Sequence, residues 1–228
     1  MENILFTKRN IDKKLVSKYL GNQFLYDFID VIRIKPLAVE PFDLKDKSII
    51  FTSVNGVESF FENGFKPNEK FTDHNFNKIY CVGLKTKNTI RKYGFGTYKV
   101  KKHADDLSKF IIQNSQGERF LHFCGNLALD VLDRALPLQN IYYKKVEVYE
   151  TELIYPVVNK DFNAIVFFSP SGVRSFIKNN SLEGKKIFSI GLTTEKELKK
   201  FTKQNIYTSN ESNLDDLMQV IVRELSKK

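Results

Sequence analysis

Hydroxyl side chains follow short apolar runs at corresponding places in the two halves of this sequence. Thr52 and Ser53 follow one run in the first half, and Ser169 and Ser171 follow another in the second. Such hydroxyls, together with the backbone amides at the start of a helix, donate hydrogen bonds to anions. The pattern indicates carboxylate or phosphate binding, although each hydroxyl taken alone is more typical of a helix N-cap.

The segments that carry these hydroxyls form a duplicated series. Three ordered motifs return at separations of 116, 108 and 110 residues, in the pairs Ser53 and Ser169, Gly83 and Gly191, and Asp105 and Asp215. Short apolar runs alternate with amphipathic helical patterns, which is typical of βαβ units and a mainly parallel sheet. We therefore predict an α/β fold of two duplicated, flavodoxin-like domains. The predicted strands are 4–7, 48–52, 78–82, 97–100, 120–123, 164–168, 186–190 and 205–208.

Two extended segments interrupt the strand and helix alternation. Residues 31–41 and 145–156 alternate in polarity, contain prolines near their ends and bracket one complete copy of the duplication. We expect both to cross between the domains as a two-stranded β linker with the character of a hinge. The expected domains are then residues 36–152, inserted, and residues 1–35 with 153–228, discontinuous. Two rows of strand ends would face one cleft.

The composition favours an anionic partner. The formal net charge is +9 and the sequence pI is about 9.3 over 228 residues, although a basic balance also serves simple solubility. Cys81 and Cys124 stand alone in apolar runs, which suits a reducing compartment and implies no disulfide framework. Since no signal-peptide pattern or membrane-length apolar run is seen, we expect a cytoplasmic protein without a membrane partner.

Cofactor motifs are missing from the sequence. It contains no Walker lysine motif, no G-x-G-x-x-G fingerprint and no Cys or His cluster at metal-binding spacing. The scattered His74, His103 and His122 are more typical of surface or strand-packing residues than of bases. We therefore expect no metal or nucleotide cofactor.

The candidate binding residues lie where a parallel sheet binds its ligands, beyond the carboxyl ends of the strands. The pattern places there Thr7, Thr52, Ser53, Gly83, Ser169, Ser171, Gly191, Thr193 and Thr194.

An ordered set of weak motifs carries a family resemblance. These are the segments 51–57, 82–86, 121–127, 148–151, 167–173 and 190–194, among them Val-Tyr-Glu-Thr and Phe-Phe-Ser-Pro-Ser-Gly-Val. In this order the chain resembles the uroporphyrinogen-III synthase family over nearly its whole length. That family has the same interrupted two-domain layout with a two-stranded linker.

The resemblance implies a lyase that needs no cofactor. It would take the linear tetrapyrrole hydroxymethylbilane, expel water and close the ring with inversion of the last pyrrole. We expect the protein to be a monomer. Tyr149 of the linker motif would assist departure of the hydroxyl, whereas a tyrosine that merely packs the hinge is the structural alternative. The residues implied to bind substrate carboxylates are the nine hydroxyls and glycines above together with Asn55, Gly125, Asn126 and Gly172. Leu127, Ala128 and Leu129 stand where relatives often carry basic residues, so this turn would act through its backbone.

Two other classes of function stay open from the residues alone. A nonenzymatic two-lobed binding protein for an acidic small molecule would share the cleft and the hinge. A nucleic-acid-binding protein would also suit the positive charge, but the basic residues are dispersed and most phenylalanines follow core patterns. We therefore expect no nucleic-acid partner.

Overall fold

A computed structural model describes residues 2–70, 73 and 75–227, so the prediction for His74 lies outside the described residues. In chain order the strands are β1 (Asn3–Phe6), β2 (Leu25–Phe28), β3 (Ile32–Pro36), β4 (Ser48–Phe51), β5 (Ile79–Val82), β6 (Lys99–Lys101), β7 (Phe120–Gly125), β8 (Tyr143–Leu153), β9 (Ala164–Phe167), β10 (Lys186–Ser189) and β11 (Ile206–Thr208). The helices are α1 (Lys13–Leu20), α2 (Val54–Glu62), α3 (Leu84–Lys92), α4 (Ala104–Asn114), α5 (Val131–Ala135), α6 (Pro170–Ile177), α7 (Leu192–Leu198) and α8 (Leu214–Leu225), with a 3-10 turn at Pro137–Gln139.

Contacts divide the chain into two compact units. Unit 1 comprises Met1–Arg33 and Glu152–Lys228, and unit 2 comprises Ile34–Thr151. The chain passes from one unit to the other within β3 and again within β8. These two strands are neighbours in one sheet. The amide of Leu37 donates to the carbonyl of Val148, and that of Ile154 donates to Val31, each at 3.0 Å. The pairing is therefore antiparallel, because one strand rises in number where the other falls.

The sheet of unit 1 has the order β11-β10-β9-β1-β2, with every neighbouring pair parallel. Numbered along the chain within this unit, the order is 2-1-3-4-5, which is the flavodoxin order. The mainly parallel α/β fold is thus confirmed.

The sheet of unit 2 has the same spatial arrangement with a different chain order. Its strands lie in the order β3-β8-β7-β4-β5-β6, and the pairs from β8 to β6 are parallel. Along the chain, β4 to β8 give the order 3-2-1-4-5, because the chain enters this unit at the strand that corresponds to β9 of unit 1. The duplication is therefore present in space with one copy circularly permuted.

Each sheet buries both faces under helices. In unit 1, Ile4 and Phe6 pack with the residues of α1 and α8, while Leu5 between them packs with α6 and α7. In unit 2, Ile49 and Phe51 pack against α2 and α3, and the alternate Ile50 packs against α4 and α5. This alternation follows from the two-residue period of a strand and explains why the central strands are continuously apolar.

The element ends follow local chemistry. Ser53 accepts a hydrogen bond from the amide of Gly56 as the N-cap of α2, and that helix ends before Gly64, whose φ is +85°. Strand β2 lies outside the predicted strands. The strand is short and contains Asp27, which forms an ion pair with Lys160, so it lacks the continuous apolar run of a central strand. No helix within the described part of the chain is long and apolar enough to cross a membrane.

We expect Phe123→Ala to destabilise the protein by about 3–5 kcal/mol, because this ring is fully buried and lies 4.6 Å from Phe60 and 5.0 Å from Phe65 between ring centroids. Urea unfolding followed by circular dichroism measures the change. Phe201→Ala is the control, since that ring is 48% exposed and should cost no more than ~0.5 kcal/mol. Equal losses in the two variants would contradict the assignment of the core.

Candidate functional site

The candidate site of unit 2 lies at the carboxyl ends of β4 and β7. Here the order of the strands reverses its direction along the chain, and such a switch point opens a crevice in a parallel sheet. Thr52 and Ser53 leave β4, while Gly125 and Asn126 end β7, its hydrogen-bonded neighbour. The sheet therefore brings together polar groups that are about seventy residues apart in sequence.

Tyr149 reaches this crevice from β8 through a shift in register. Cys124 pairs with Glu147, but Gly125 pairs with Tyr149, so an additional residue of β8 is accommodated opposite β7. Such a bulge redirects the side chain that follows it. The tyrosine ring lies directly over Gly125, and a Cβ atom at that position would come within 2.5 Å of the ring atom Cζ. Only glycine leaves room for the ring.

The hydroxyl of Tyr149 is held by unit 2 itself. It lies 3.0 Å from the hydroxyl oxygen of Ser53, and the side chain is only 8% exposed. Burial raises the pKa of this phenol, whereas hydrogen bonds from Ser53 and from the Gly125 backbone oppose the rise. The phenol is therefore protonated at neutral pH and can donate a hydrogen bond.

A second set of hydrogen-bonded polar side chains comprises Thr52, His122 and Tyr143. The hydroxyl oxygen of Thr52 lies 2.8 Å from Nε2 of His122, and Nδ1 of the same ring lies 2.7 Å from the hydroxyl of Tyr143. His122 is 1% exposed in the middle of β7. Burial lowers its pKa to about 3, helped by the positive charge of Lys145 and opposed by Asp133. The ring is thus neutral at physiological pH.

Other predicted residues of unit 2 occupy the same edge. Asn55 is half-buried in the first turn of α2, and Gly83, with φ of +86°, precedes α3 without a side-chain cap. The side-chain oxygen of Asn126 accepts a hydrogen bond from the amide of Thr151 at 2.9 Å, which ties the end of β7 to β8. This bond leaves the amide hydrogens of Asn126 for other partners.

The equivalent edge of unit 1 uses its hydroxyls mainly for structure. Ser169 caps α6 by accepting from the amide of Gly172 at 3.1 Å, and its oxygen lies 3.2 Å from that of Ser171. Thr7 is buried, and both its amide and its hydroxyl donate to the carbonyl of Val166. Thr7 therefore fastens β1 to β9 at the switch point, and its prediction as a ligand residue stays a prediction.

The third predicted loop of unit 1 precedes α7. Gly191 lies against Ser212 so closely that an added Cβ would come within 3.2 Å of the serine Cβ. Thr193 is exposed, whereas Thr194 is buried, with 3% exposure. Thr193 is the residue of this pair whose side chain solvent can reach.

No sequence pattern points to a role for Tyr143, and the pattern around His122 indicates only a surface or strand-packing residue. The available signal was a single histidine inside an otherwise apolar strand, since a buried polar group must find hydrogen-bond partners. Metal binding receives no support from the described residues, which contain no group of three or more His, Cys, Asp or Glu that could hold an ion.

The fold and the site define a class of protein. It is a duplicated, doubly wound α/β protein with a tyrosine and several hydroxyls at the carboxyl edges of its sheets. The profile of the family "Uroporphyrinogen-III synthase HemD" matches residues 27–219. Because this match covers most of the sequence, the chain belongs to the uroporphyrinogen-III synthase family, whose members act in haem biosynthesis.

Solved structures agree on the fold. The chain is similar to uroporphyrinogen-III synthetase from Helicobacter pylori 26695, with a TM-score of 0.69, 18% identity, and coverage of 98% of this chain and 100% of that one. It is also similar to a mutant uroporphyrinogen III synthase from the extremely thermophilic bacterium Thermus thermophilus, with a TM-score of 0.68, 14% identity and full coverage of both chains. At a stringent significance threshold no curated protein sequence matches.

Family membership supports the enzyme interpretation and disfavours the nonenzymatic binding protein. It also implies that the substrate is hydroxymethylbilane. Sequence identities below one fifth mean that the structural matches add the fold and leave individual residue roles to be argued from this chain.

The buried His122 generates a prediction on pH and stability. Its pKa in the folded protein, about 3, is below the 6.5 of the free side chain. The unfolded chain therefore binds this proton first as pH falls, and stability is lost between about pH 6.5 and 3. By pH 4 we expect a loss of roughly 3 kcal/mol from this residue. Urea unfolding across this pH range measures it.

His122→Gln is the matched variant for that experiment, because glutamine is polar but does not titrate. Its stability should fall less steeply over the same pH range. Parallel slopes for the two proteins would show that His122 does not carry the effect.

Proposed function

We propose that this protein is a cyclising hydro-lyase that converts hydroxymethylbilane into uroporphyrinogen III. The match to the family over residues 27–219 is the observation that carries the proposal. In the reaction the terminal hydroxyl takes up a proton, its bond to carbon breaks, and it leaves as water, while the ring closure that follows releases a proton as the attacked pyrrole regains its aromaticity. The remaining cation closes the ring through a spiro route, which inverts the last pyrrole.

Tyr149 is proposed to assist the departing hydroxyl. Its phenol is protonated, buried and placed at the switch point of unit 2. The oxygen of Ser53 accepts from the amide of Gly56, and in the proposed arrangement the serine hydroxyl donates to the phenol oxygen, 3.0 Å away. This direction leaves the phenol hydrogen for the substrate. Because the pKa of the phenol is raised, Tyr149 acts as a hydrogen-bond donor that supplies only part of a typical acid effect of ~10²- to 10⁴-fold.

The carboxyl edge of each unit is proposed to bind acetate and propionate groups of the bilane. In unit 2 the donors would be Thr52, Asn55, the Asn126 amide and the backbone at Gly83 and Gly125. In unit 1 the exposed hydroxyl of Thr193 and the half-buried Ser171 are the side chains with the best access. Ser169 and Gly172 would contribute by shaping the start of α6, and Gly191 and Thr194 by shaping the loop before and within α7.

We further propose that the enzyme acts in the cytoplasm. Cys81 and Cys124 are buried and unpaired in the central strands β5 and β7. Burial raises the pKa of each thiol to about 12. These thiols are therefore packing residues that suit a reducing compartment, where no disulfide is required.

The activity itself is testable with freshly generated hydroxymethylbilane. We expect the protein to shift the product from isomer I, which forms without enzyme, to isomer III. Separation of the oxidised porphyrins by chromatography measures the ratio. Activity should survive a chelator and need no nucleotide. Isomer I alone, from correctly folded protein, would overturn the proposal.

Tyr149→Phe tests the proposed donor. We expect kcat to fall about tenfold or more, which corresponds to ~1.4 kcal/mol at the barrier. The melting temperature should change little, because the ring and its packing are kept. The variant loses one side-chain hydrogen bond, to Ser53, which still caps α2. Tyr19→Phe is the control, since its hydroxyl is also hydrogen-bonded, at 2.9 Å to Asp215 in unit 1. An unchanged kcat in Tyr149→Phe would return this residue to a packing role.

A further inference from the structure

A line of three polar side chains runs through unit 2 from the half-buried Tyr143 to the carboxyl edge of the sheet. The hydroxyl of Tyr143 lies 2.7 Å from Nδ1 of His122, and Nε2 of His122 lies 2.8 Å from Oγ1 of Thr52. His122 is buried, and Thr52 at the outer end is half-buried. Neither Tyr143 nor His122 has a part in the chemistry proposed above.

The neutral imidazole forces these hydrogen bonds to run in one direction. It carries one N–H group, which donates, and one bare nitrogen, which accepts. If Nε2 carries the hydrogen, Tyr143 donates to Nδ1 and His122 donates to Thr52. If Nδ1 carries it, Thr52 must donate inward to His122, and its hydrogen is lost to any ligand.

The first arrangement is favoured by the chemistry of the phenol. A phenol is a strong donor and a weak acceptor, because its oxygen lone pair is shared with the ring. An imidazole nitrogen is a strong acceptor. Burial and the nearby negative charges of Asp130 and Asp133 also hold the phenol of Tyr143 in its protonated form, since they raise its pKa. Each donor then strengthens the next along the line.

We propose that Tyr143 and His122 are positioning residues that turn the hydroxyl hydrogen of Thr52 outward, so that Thr52 is a committed donor to a carboxylate of the substrate. The identity of the carboxylate rests on the proposed function. The direction of the hydrogen bonds does not, because it follows from residues within unit 2.

This arrangement gives Thr52 a property that a free hydroxyl lacks. An unconstrained hydroxyl can donate or accept and so binds a carboxylate, an alcohol or an amide. Thr52 already accepts from His122, which leaves donation as its main capacity. The site is thereby preorganised for an anion before the substrate arrives.

Nitrogen NMR of the protein labelled with ¹⁵N-histidine tests the direction without any substrate. The sequence contains three histidines, and the signals that disappear in His122→Gln belong to His122. At pH 7 we expect the tautomer with hydrogen on Nε2. Hydrogen on Nδ1 would overturn the proposal.

A double-mutant cycle tests the coupling to function. Tyr143→Phe should raise KM for hydroxymethylbilane roughly three- to tenfold with kcat nearly unchanged. In a Thr52→Val background the same change should have no further effect, because the hydroxyl that it orients is gone. Equal effects of Tyr143→Phe in both backgrounds would overturn the proposed line of action.

Tyr142→Phe is the matched control, since it makes the same chemical change at the adjacent, 42% exposed position. It should leave KM unchanged. If the wild-type protein forms no isomer III, the proposed function and the carboxylate ligand fail together. The NMR result still decides whether Tyr143 and His122 orient Thr52.

Discussion

The close approach of the Tyr149 ring to Gly125 is the constraint on which the candidate site depends. A side chain at position 125 would occupy the volume of the ring, so this placement of Tyr149 requires a glycine there. The register shift between β7 and β8 brings them together, and Ser53 then holds the hydroxyl from the third element, at the end of β4. A bulge, a glycine and a helix cap thus define the position of one oxygen atom.

The same residues serve structure and chemistry at this edge of the sheet. Ser53 begins α2 and also contacts the phenol of Tyr149. Asn126 joins the end of β7 to Thr151 of β8 while keeping its amide hydrogens. A side chain with two hydrogen-bond partners is already fixed in the folded protein. The entropy cost of ordering it is therefore part of folding, and ligand binding does not add it again. Unit 1 differs, because the hydroxyls of Thr7 and Ser169 form their hydrogen bonds with the backbone of the protein, to Val166 and Gly172.

Much of the fold could be predicted from the sequence because its signals are local. The apolar run at Ser48–Phe51, the cap at Ser53 and the stop at Gly64 each lie within one element, and the duplication supplies each pattern twice. The order of the strands in each sheet could not be predicted in this way. It depends on which strands lie beside β1 and β7, and this pairing joins segments that are far apart in the chain.

The candidate site divides along the same line. The sequence shows that hydroxyls follow the strands, but it does not show what they bind. Thr7 and Thr52 both follow a central strand, yet the hydroxyl of Thr7 donates to the carbonyl of Val166, whereas that of Thr52 lies beside His122 at the crevice. The difference comes from β7, where His122 stands beside Thr52, and from β8, where Tyr143 stands beside His122. A buried histidine in an apolar strand requires partners on both ring nitrogens. Here one partner is the phenol of Tyr143 and the other is the half-buried hydroxyl of Thr52. The buried histidine thereby sets the direction in which the Thr52 hydroxyl donates.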